Sequence, residues 1–356
     1  MQDLRPKRIA DVIAPYRVAP GRRVRLPDDF PTSAPAFDTS EAKEILQSGV
    51  ELLAEYQDRL AAQDSYGVLV ILQAMDAAGK DGTIRHVMSG VNPQGVEVHS
   101  FKVPSTEELD HDYLWRYARR LPSRGSIGIF NRSYYEEVLV VRVHPELLAG
   151  EKLPARLREA DVWERRFREI NDWERYLSDQ GFKLVKLFLH LSNEEQRTRF
   201  LARIDEPAKN WKFSAADVRE RSAWDDYQRA YSEVLSSTST GWAPWYVLPA
   251  DDKPFARLVA SCAIAHALLE IDPHYPTVTP DAQAGLEEAR LELMRQAPAG
   301  AARDPNVRTA VADDAGSART ADAGFDRAAD GPASRATSAN KHSGKHHGKH
   351  GKAKRR

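Results

Sequence analysis

The segment Gln73-Ala74-Met75-Asp76-Ala77-Ala78-Gly79-Lys80-Asp81-Gly82-Thr83 carries the residue types of a phosphate site. It follows an apolar run, Gly67 to Gln73, and opens a stretch patterned as a helix. A tight turn between a strand and a helix N-terminus aims backbone N–H groups at one point, and the helix dipole adds partial positive charge there. Lys80 supplies a full charge, so Ala77, Ala78, Gly79, Lys80, Asp81, Gly82 and Thr83 form the expected phosphate cradle. The spacing departs from G-x-x-x-x-G-K-[ST]. Ala74 stands where the first Gly belongs, and Asp81 replaces the Ser/Thr that normally holds magnesium. A metal must then be held differently, and Asp76 is the candidate carboxylate. The blander reading, a polar helix start, is opposed by the apolar strand before the loop and the carboxylate within it.

A second cluster, Asn131-Arg132-Ser133-Tyr134-Tyr135-Glu136-Glu137, follows the apolar run Ser126 to Phe130. Phosphoryl-transfer sites commonly place an acidic metal ligand at such a strand end. Asn131 here offers a neutral and weaker oxygen. Arg132 suits bidentate phosphate contact, and Glu136 and Glu137 could supply charge. The alternative is that Asn131 caps the next helix and Arg132 pairs with a surface carboxylate. The phosphate loop beside it favours the functional reading.

A third segment runs from Arg203 through Lys209, Trp211, Lys212 and Phe213 to Ser214, then along a helix with Arg219, Arg221, Trp224, Tyr227 and Tyr231. Dense cations with interleaved aromatics beside a phosphate site suggest a lid over anions. Lys209, Lys212, Arg219 and Arg221 could line a channel for a long polyanion, although a solvated charged face is the ordinary alternative. Ser214 and Asp217 are spaced as a capping box.

The elements that must position these groups alternate in type. Helical spacing at Ile45, Leu52, Leu53, Tyr56 and Leu60, after an Asp38/Glu41 capping box, precedes the first strand. A short strand is expected at Val96 to Phe101, then a helix from a Ser105/Glu108 capping box to about Arg119. Further on come a long helix around Glu159 to Leu177, an alternating strand at Lys183 to Leu191, a helix capped by Ser192 and Glu195, a strand at Trp245 to Leu248 and a helix at Phe255 to Leu269. Strands separated by helices imply an α/β fold with a parallel sheet and right-handed crossovers. Ligands then sit at the carboxyl ends of the strands, where the motifs fall.

The chain has 356 residues, 42% hydrophobic and 29% charged, with a formal net charge of -1. That balance gives no global case for a nucleic-acid or membrane partner. The single cysteine, Cys262, excludes an internal disulfide and is expected to be an inert core thiol. No signal peptide and no stretch long enough to span a bilayer is expected, so a cytoplasmic protein is the default. Residues 1–37 read as an irregular leader, 38–275 as a phosphotransferase domain with its lid at about 205–237, and 276–296 as a C-terminal helix. Residues 297–356, ending in a Lys/His/Gly tract, are expected to be disordered.

Four motifs in order resemble one family, the second family of polyphosphate kinases. They are Met75-Asp-Ala-Ala-Gly-Lys-Asp-Gly82, Phe130-Asn-Arg-Ser-Tyr-Tyr-Glu136, Lys209-Asn-Trp-Lys-Phe-Ser214 and Thr238-Ser-Thr-Gly-Trp-Ala-Pro-Trp-Tyr246. The resemblance spans roughly Asp38 to Ile271. It implies a P-loop kinase-like parallel sheet flanked by helices, with a helical lid, often assembled as dimers or tetramers. It further implies phosphoryl transfer between inorganic polyphosphate and AMP or ADP, with guanine nucleotides as a further acceptor class. The cofactor implied is Mg2+, with Mn2+ as a substitute, held by Asp76 and the Asn131 position. Lys80, Arg132, Arg203 and the lid cations would hold phosphates. As a mechanistic hypothesis, Glu136 and Glu137 either orient the acceptor or extend metal coordination. Many members carry Asp where this chain has Asn131, and Asn131 with Glu136 looks like the subgroup accepting both AMP and ADP. Two rivals remain on the residues alone. An ATP-dependent nucleoside monophosphate kinase would carry a Ser/Thr after Lys80, and a non-catalytic phosphate-binding module would need no Asp76.

Overall fold

The computed structural model describes residues 5–35, 39–159 and 161–296. Along the chain these form α1 (Arg5–Ile13), α2 (Thr39–Gln63), β1 (Gly67–Ala74), α3 (Lys80–Val87), β2 (Val96–Ser100), α4 (Thr106–Leu109), α5 (Trp115–Ala118) and β3 (Ile127–Asn131). Then come α6 (Val140–Val143), α7 (Pro145–Gly150), α8 (Val162–Asp179), β4 (Phe182–His190), α9 (Asn193–Asp205), α10 (Ala215–Glu220), α11 (Trp224–Thr238), β5 (Trp245–Pro249) and α12 (Lys253–Ile271). These belong to one unit ending at Thr277. A second unit starts at Val278 and contains α13 (Pro280–Arg295), whose first turn is capped by the Thr279 hydroxyl.

The five strands form one parallel sheet in the order β2-β3-β1-β4-β5. All eight residues of β1 are buried, as expected for a central strand covered on both faces. Successive side chains alternate across the sheet. Val68, Val70 and Leu72 join a core with Leu52, Leu53 and Leu60 of α2 and Val259 and Leu268 of α12. Leu69 and Ile71 join the opposite core with Ile170 and Leu177 of α8 and Tyr231 and Val234 of α11. Each fully buried aliphatic side chain contributes roughly 1.5–3 kcal/mol, so the sheet is the rigid base from which the loops at its carboxyl end project.

Several expectations need correction. Residues within 1–37 are not irregular throughout: α1 is followed by a 3-10 turn at Ala14–Tyr16 and an antiparallel bridge between Arg17 and Tyr246. Ile9, Ile13 and Tyr16 lie at helical spacing and are buried, while Lys7, Arg8 and Asp11 face outward. The helix expected from Ser105 to Arg119 is two short ones. The Ser105 capping box is present, but the Asp112 side chain accepts from the Leu114 backbone N–H and restarts the chain after Asp110. β4 does not alternate, since Leu184 to His190 are all buried. The Ser214 hydroxyl accepts from Ala216 N rather than from Asp217, whose carboxylate turns to Arg203. The expected lid helix is broken by a 3-10 turn at Arg221–Ala223, and α11 beyond it packs into the core through Tyr227, Tyr231, Val234 and Leu235. α12 passes a length and hydropathy test for spanning a bilayer, with mean hydropathy 1.4. It is nonetheless a core helix, packed on α2 and β4 with Cys262 inside it. Burial pushes that thiol up to about 12. Asp38 and the segment 297–356 lie outside the described residues.

Candidate active site

β1 ends at Ala74, and the chain turns through Met75–Ala78 into α3. Ala77 has φ 64° and Gly79 φ 107°. Glycine adopts this region freely, but alanine there costs on the order of 1 kcal/mol. The outer face of this strained turn is held by a side chain. Arg199 of α9 does the holding: its guanidinium donates to Ala77 O (3.1 Å), Ala78 O (2.9 Å) and Ala250 O (2.6 Å), while Glu195 pairs with it at 2.8 Å. Inside the turn the Lys80 ammonium donates to Ala74 O at 3.1 Å. Burial, then the neighbouring Arg132, pull the Lys80 pKa down to about 8, against the opposing pull of Asp76, Glu136 and Asp81.

β3 delivers the second cluster. Asn131 is its last residue, and Arg132 follows with φ 65°, its N–H donating to Leu72 O at 3.0 Å. The strand ends of β1 and β3 are therefore joined at this point. Arg132 donates to Asp76 Oδ1 (2.7 Å) and to Glu136 Oε2 (3.0 Å), and Gln73 Nε2 donates to Glu136 Oε1 at 3.0 Å. Charge-assisted bonds of this length fix the guanidinium between two carboxylates. Behind them Tyr134 and Tyr135 donate to the buried Glu174, which pairs with the buried Lys186 at 2.6 Å.

The metal candidates do not meet directly. Asp76 is engaged by Arg132, and the Asn131 amide reaches Asp81 Oδ1 at 2.8 Å and Ser100 Oγ at 3.4 Å. Among the described residues no group of three or more His, Cys, Asp or Glu is arranged to hold a metal. The donors at this strand end are nevertheless all oxygen: Asp76, Asp81, Asn131 and Ser100. A sparse set of hard oxygens fits magnesium, which keeps waters and takes substrate phosphates as ligands.

Glu137 takes no part in the cleft. The 3-10 turn Tyr134–Val138 directs Glu136 toward Arg132 and Glu137 inward, where it pairs with Arg166 at 3.2 Å. Burial pushes its pKa up to about 7, against the pull of Arg166.

A cleft lined by Asp76, Arg132, Glu136, Gln196, Asp217, Glu220, Arg221, Tyr227 and Tyr231 holds a space of about 30 Å³. That is room for about one water, whereas sites for small molecules occupy roughly 300–1,000 Å³. Of the lid cations, Arg203 pairs with Asp217 at 3.3 Å and Lys209 with Glu206 at 2.6 Å. Lys212 lies over the exposed Trp211 ring, and Arg219 is exposed. Arg221 is bound to α9, donating to Asn193 O, Asn193 Oδ1 and Gln196 Oε1. The hydrogen bonds and ion pairs described for these cations run to the lid itself and to α9 rather than to the phosphate loop. Burial and the Asp76 charge raise the Asp217 pKa. Glu220 accepts from the Tyr227 hydroxyl and pairs with His144, both at 2.5 Å.

Sequence reasoning missed Gln196, Arg199, Lys253 and Arg257. Gln196, Arg199 and Phe200 are spaced on one helical face, and that face is buried. This was the available signal. Arg257 lies 3.1 Å from His86 and against the first turn of α3, 3.4 Å from where a Cβ on Gly82 would sit. Burial and the surrounding Arg199, Lys209 and Arg257 charges lower the Lys253 pKa. A neighbourhood of mutually repelling cations thus flanks the loop.

The pattern of the family described as Polyphosphate kinase 2 (PPK2) matches residues 37–275. An ADP-polyphosphate phosphotransferase of Rhodopseudomonas palustris is 52% identical over 283 residues, covering 79% of this chain and 98% of that protein. An AMP/ADP-polyphosphate phosphotransferase of Meiothermus ruber is 44% identical over 263 residues, covering 73% and 94%. The crystal structure of polyphosphate kinase 2 from Arthrobacter aurescens TC1 superposes with a TM-score of 0.69 at 38% identity, covering 79% of this chain and 96% of that one. With the phosphate loop, the Arg132 junction and the parallel sheet in place, these matches establish that the chain belongs to the polyphosphate kinase 2 family.

Proposed function

We propose that the protein transfers a phosphoryl group reversibly between inorganic polyphosphate and the nucleotides AMP and ADP. The observation that carries this reading is the junction at the strand ends, where Arg132 bridges Asp76 and Glu136 beside the left-handed phosphate loop. The cations around that loop, Lys80, Lys253 and Arg257, suit a donor that carries several negative charges. The names borne by the Rhodopseudomonas and Meiothermus relatives point the same way.

The attacking atom is a terminal phosphate oxygen of the nucleotide, already anionic, so no strong base is required. It forms a new P–O bond to the terminal phosphorus of polyphosphate. The bridging P–O bond of the donor breaks, and the shortened chain leaves with the charge. Positioning and charge neutralisation carry most of the rate in such transfers. Lys80 and the loop N–H groups hold the transferred group, and Arg132 stabilises charge between donor and acceptor. Glu136 fixes the Arg132 guanidinium, and Lys212 and Arg219 contribute to holding the chain from the lid. Magnesium, or manganese in its place, would be held by Asp76 and Asn131 and would supply charge neutralisation between the two polyanions. We further propose a cytoplasmic enzyme that assembles as a homo-oligomer, which light scattering would test.

Purified protein given ADP, magnesium and long-chain polyphosphate without ATP should form ATP, and AMP in place of ADP should form ADP and then ATP. Product from ADP alone would restrict the acceptor. Product only when ATP is the donor would replace this reading with an ordinary nucleoside monophosphate kinase.

A further inference from the structure

Gln196 sits in the first turn of α9 and is 2% exposed. Its side-chain amide has one partner in the phosphate loop and another in the lid segment. Nε2 donates to the carbonyl of Asp76 in the phosphate loop at 2.9 Å. Oε1 accepts from Arg221 Nη1, at the end of the lid, at 2.7 Å. The amide can be oriented only this way, because a flip would set oxygen against the Asp76 carbonyl and NH2 against the guanidinium. Arg221 also grips Asn193 O at 3.0 Å and Asn193 Oδ1 at 2.6 Å, so its guanidinium hydrogen-bonds to α9.

Seating of the lid and the orientation of the Asp76 peptide therefore meet in one side chain. The Asp76 peptide precedes the left-handed Ala77, a conformation that persists only where its surroundings hold it. A donor fixed on the Asp76 carbonyl restrains that turn. The same amide is itself aligned by Arg221 when the lid is down.

We propose that Gln196 is a positioning residue that couples lid seating to the geometry of the phosphate loop, so that the loop is held in its phosphate-binding form when Arg221 is docked. When the lid lifts, Gln196 loses its aligning partner and the Asp76 peptide relaxes.

Amide hydrogen exchange on the substrate-free full-length protein tests this without reliance on the proposed reaction. Loss of one neutral hydrogen bond changes an opening equilibrium by roughly two- to tenfold. Arg221→Ala should speed exchange by that factor in peptides covering residues 75–83, although the hydrogen bonds of Arg221 run to Asn193 and Gln196. Gln196→Ala should speed exchange both in residues 75–83 and in residues 215–223. Gln196→Glu keeps an acceptor for Arg221 and places a carboxylate against the Asp76 carbonyl. It should leave the lid as in the wild type and loosen only the loop. In turnover, Gln196→Ala and Arg221→Ala should each lower kcat several-fold, and the double variant should be no worse than the more impaired single one. Exchange changes in Arg221→Ala confined to residues 193–223, or losses that multiply in the double variant, would overturn the proposal. A wild type that turns over neither polyphosphate nor ATP would refute the functional reading and leave the exchange result standing.

Discussion

Lys186→Met probes the frame behind the site. Lys186 and Glu174 are fully enclosed and 2.6 Å apart. The ammonium also donates to the Tyr135 hydroxyl at 2.9 Å and to Thr238 O at 2.6 Å. Glu174 Oε1 accepts from the Tyr134 and Tyr135 hydroxyls at 2.9 and 2.7 Å. Methionine fills nearly the same volume and supplies no charge, so the variant leaves a carboxylate enclosed without its cation. Breaking such a pair costs about 3–5 kcal/mol. The two tyrosine donors remain and bring the expected loss to the lower end, about 3 kcal/mol. Urea unfolding should show this loss with an unchanged slope, and the melting temperature should fall by roughly 6–12 °C. Adding Glu174→Gln removes the stranded charge and should recover about 1 kcal/mol or more. A loss below about 1 kcal/mol in Lys186→Met, or a double variant less stable than the single one, would refute the reasoning.

Asp76→Asn should abolish turnover while leaving the melting temperature within about 2 °C, because one neutral bond replaces one partly exposed ion pair; normal turnover would sink the role of Asp76. Lys212→Ala should raise the KM for polyphosphate about threefold or more with kcat little changed, since an exposed lid cation contributes ground-state binding; a pure loss of kcat would count against it. The pH dependence follows from Lys80, whose pKa lies near 8. Its charged form binds phosphate, so kcat/KM should fall about tenfold per pH unit above pH 8, and Lys80→Arg should lack that break. The stability contribution has the opposite sign. A lysine whose folded pKa lies below its unfolded one makes the fold more stable as pH rises from 8 to 10.5, by at most roughly 3 kcal/mol. Thermal unfolding of wild type against Lys80→Met across that range separates loss of activity from loss of fold.

The apolar run of β1 and the loop after it were legible because both are local patterns: a strand buried on two faces, then glycine and lysine at a helix start. Asp76 and Arg132 were legible one by one, but their contact depends on β1 and β3 being neighbours, which sequence order does not reveal. Glu136 and Glu137 read alike in sequence, but the turn Tyr134–Val138 sends the first to Arg132 and the second to Arg166. Lys186 looked like the polar side of an alternating strand. Its partner Glu174 comes from α8, and only the tertiary fold makes a lysine tolerable there. Arg221 carried the charge of a phosphate ligand, but its partners are a backbone carbonyl and two side-chain amides on α9. The leader hid its helix because charges and prolines surround Ile9, Ile13 and Tyr16.

The most direct test of the central claim is transfer of label. Polyphosphate carrying 32P is mixed with unlabelled ADP, magnesium and protein, with ATP omitted, and the nucleotides are separated. The account expects 32P in the terminal phosphate of ATP, matched by shortening of the polyphosphate chain. Label released only as orthophosphate, or ATP formed without label, would contradict it.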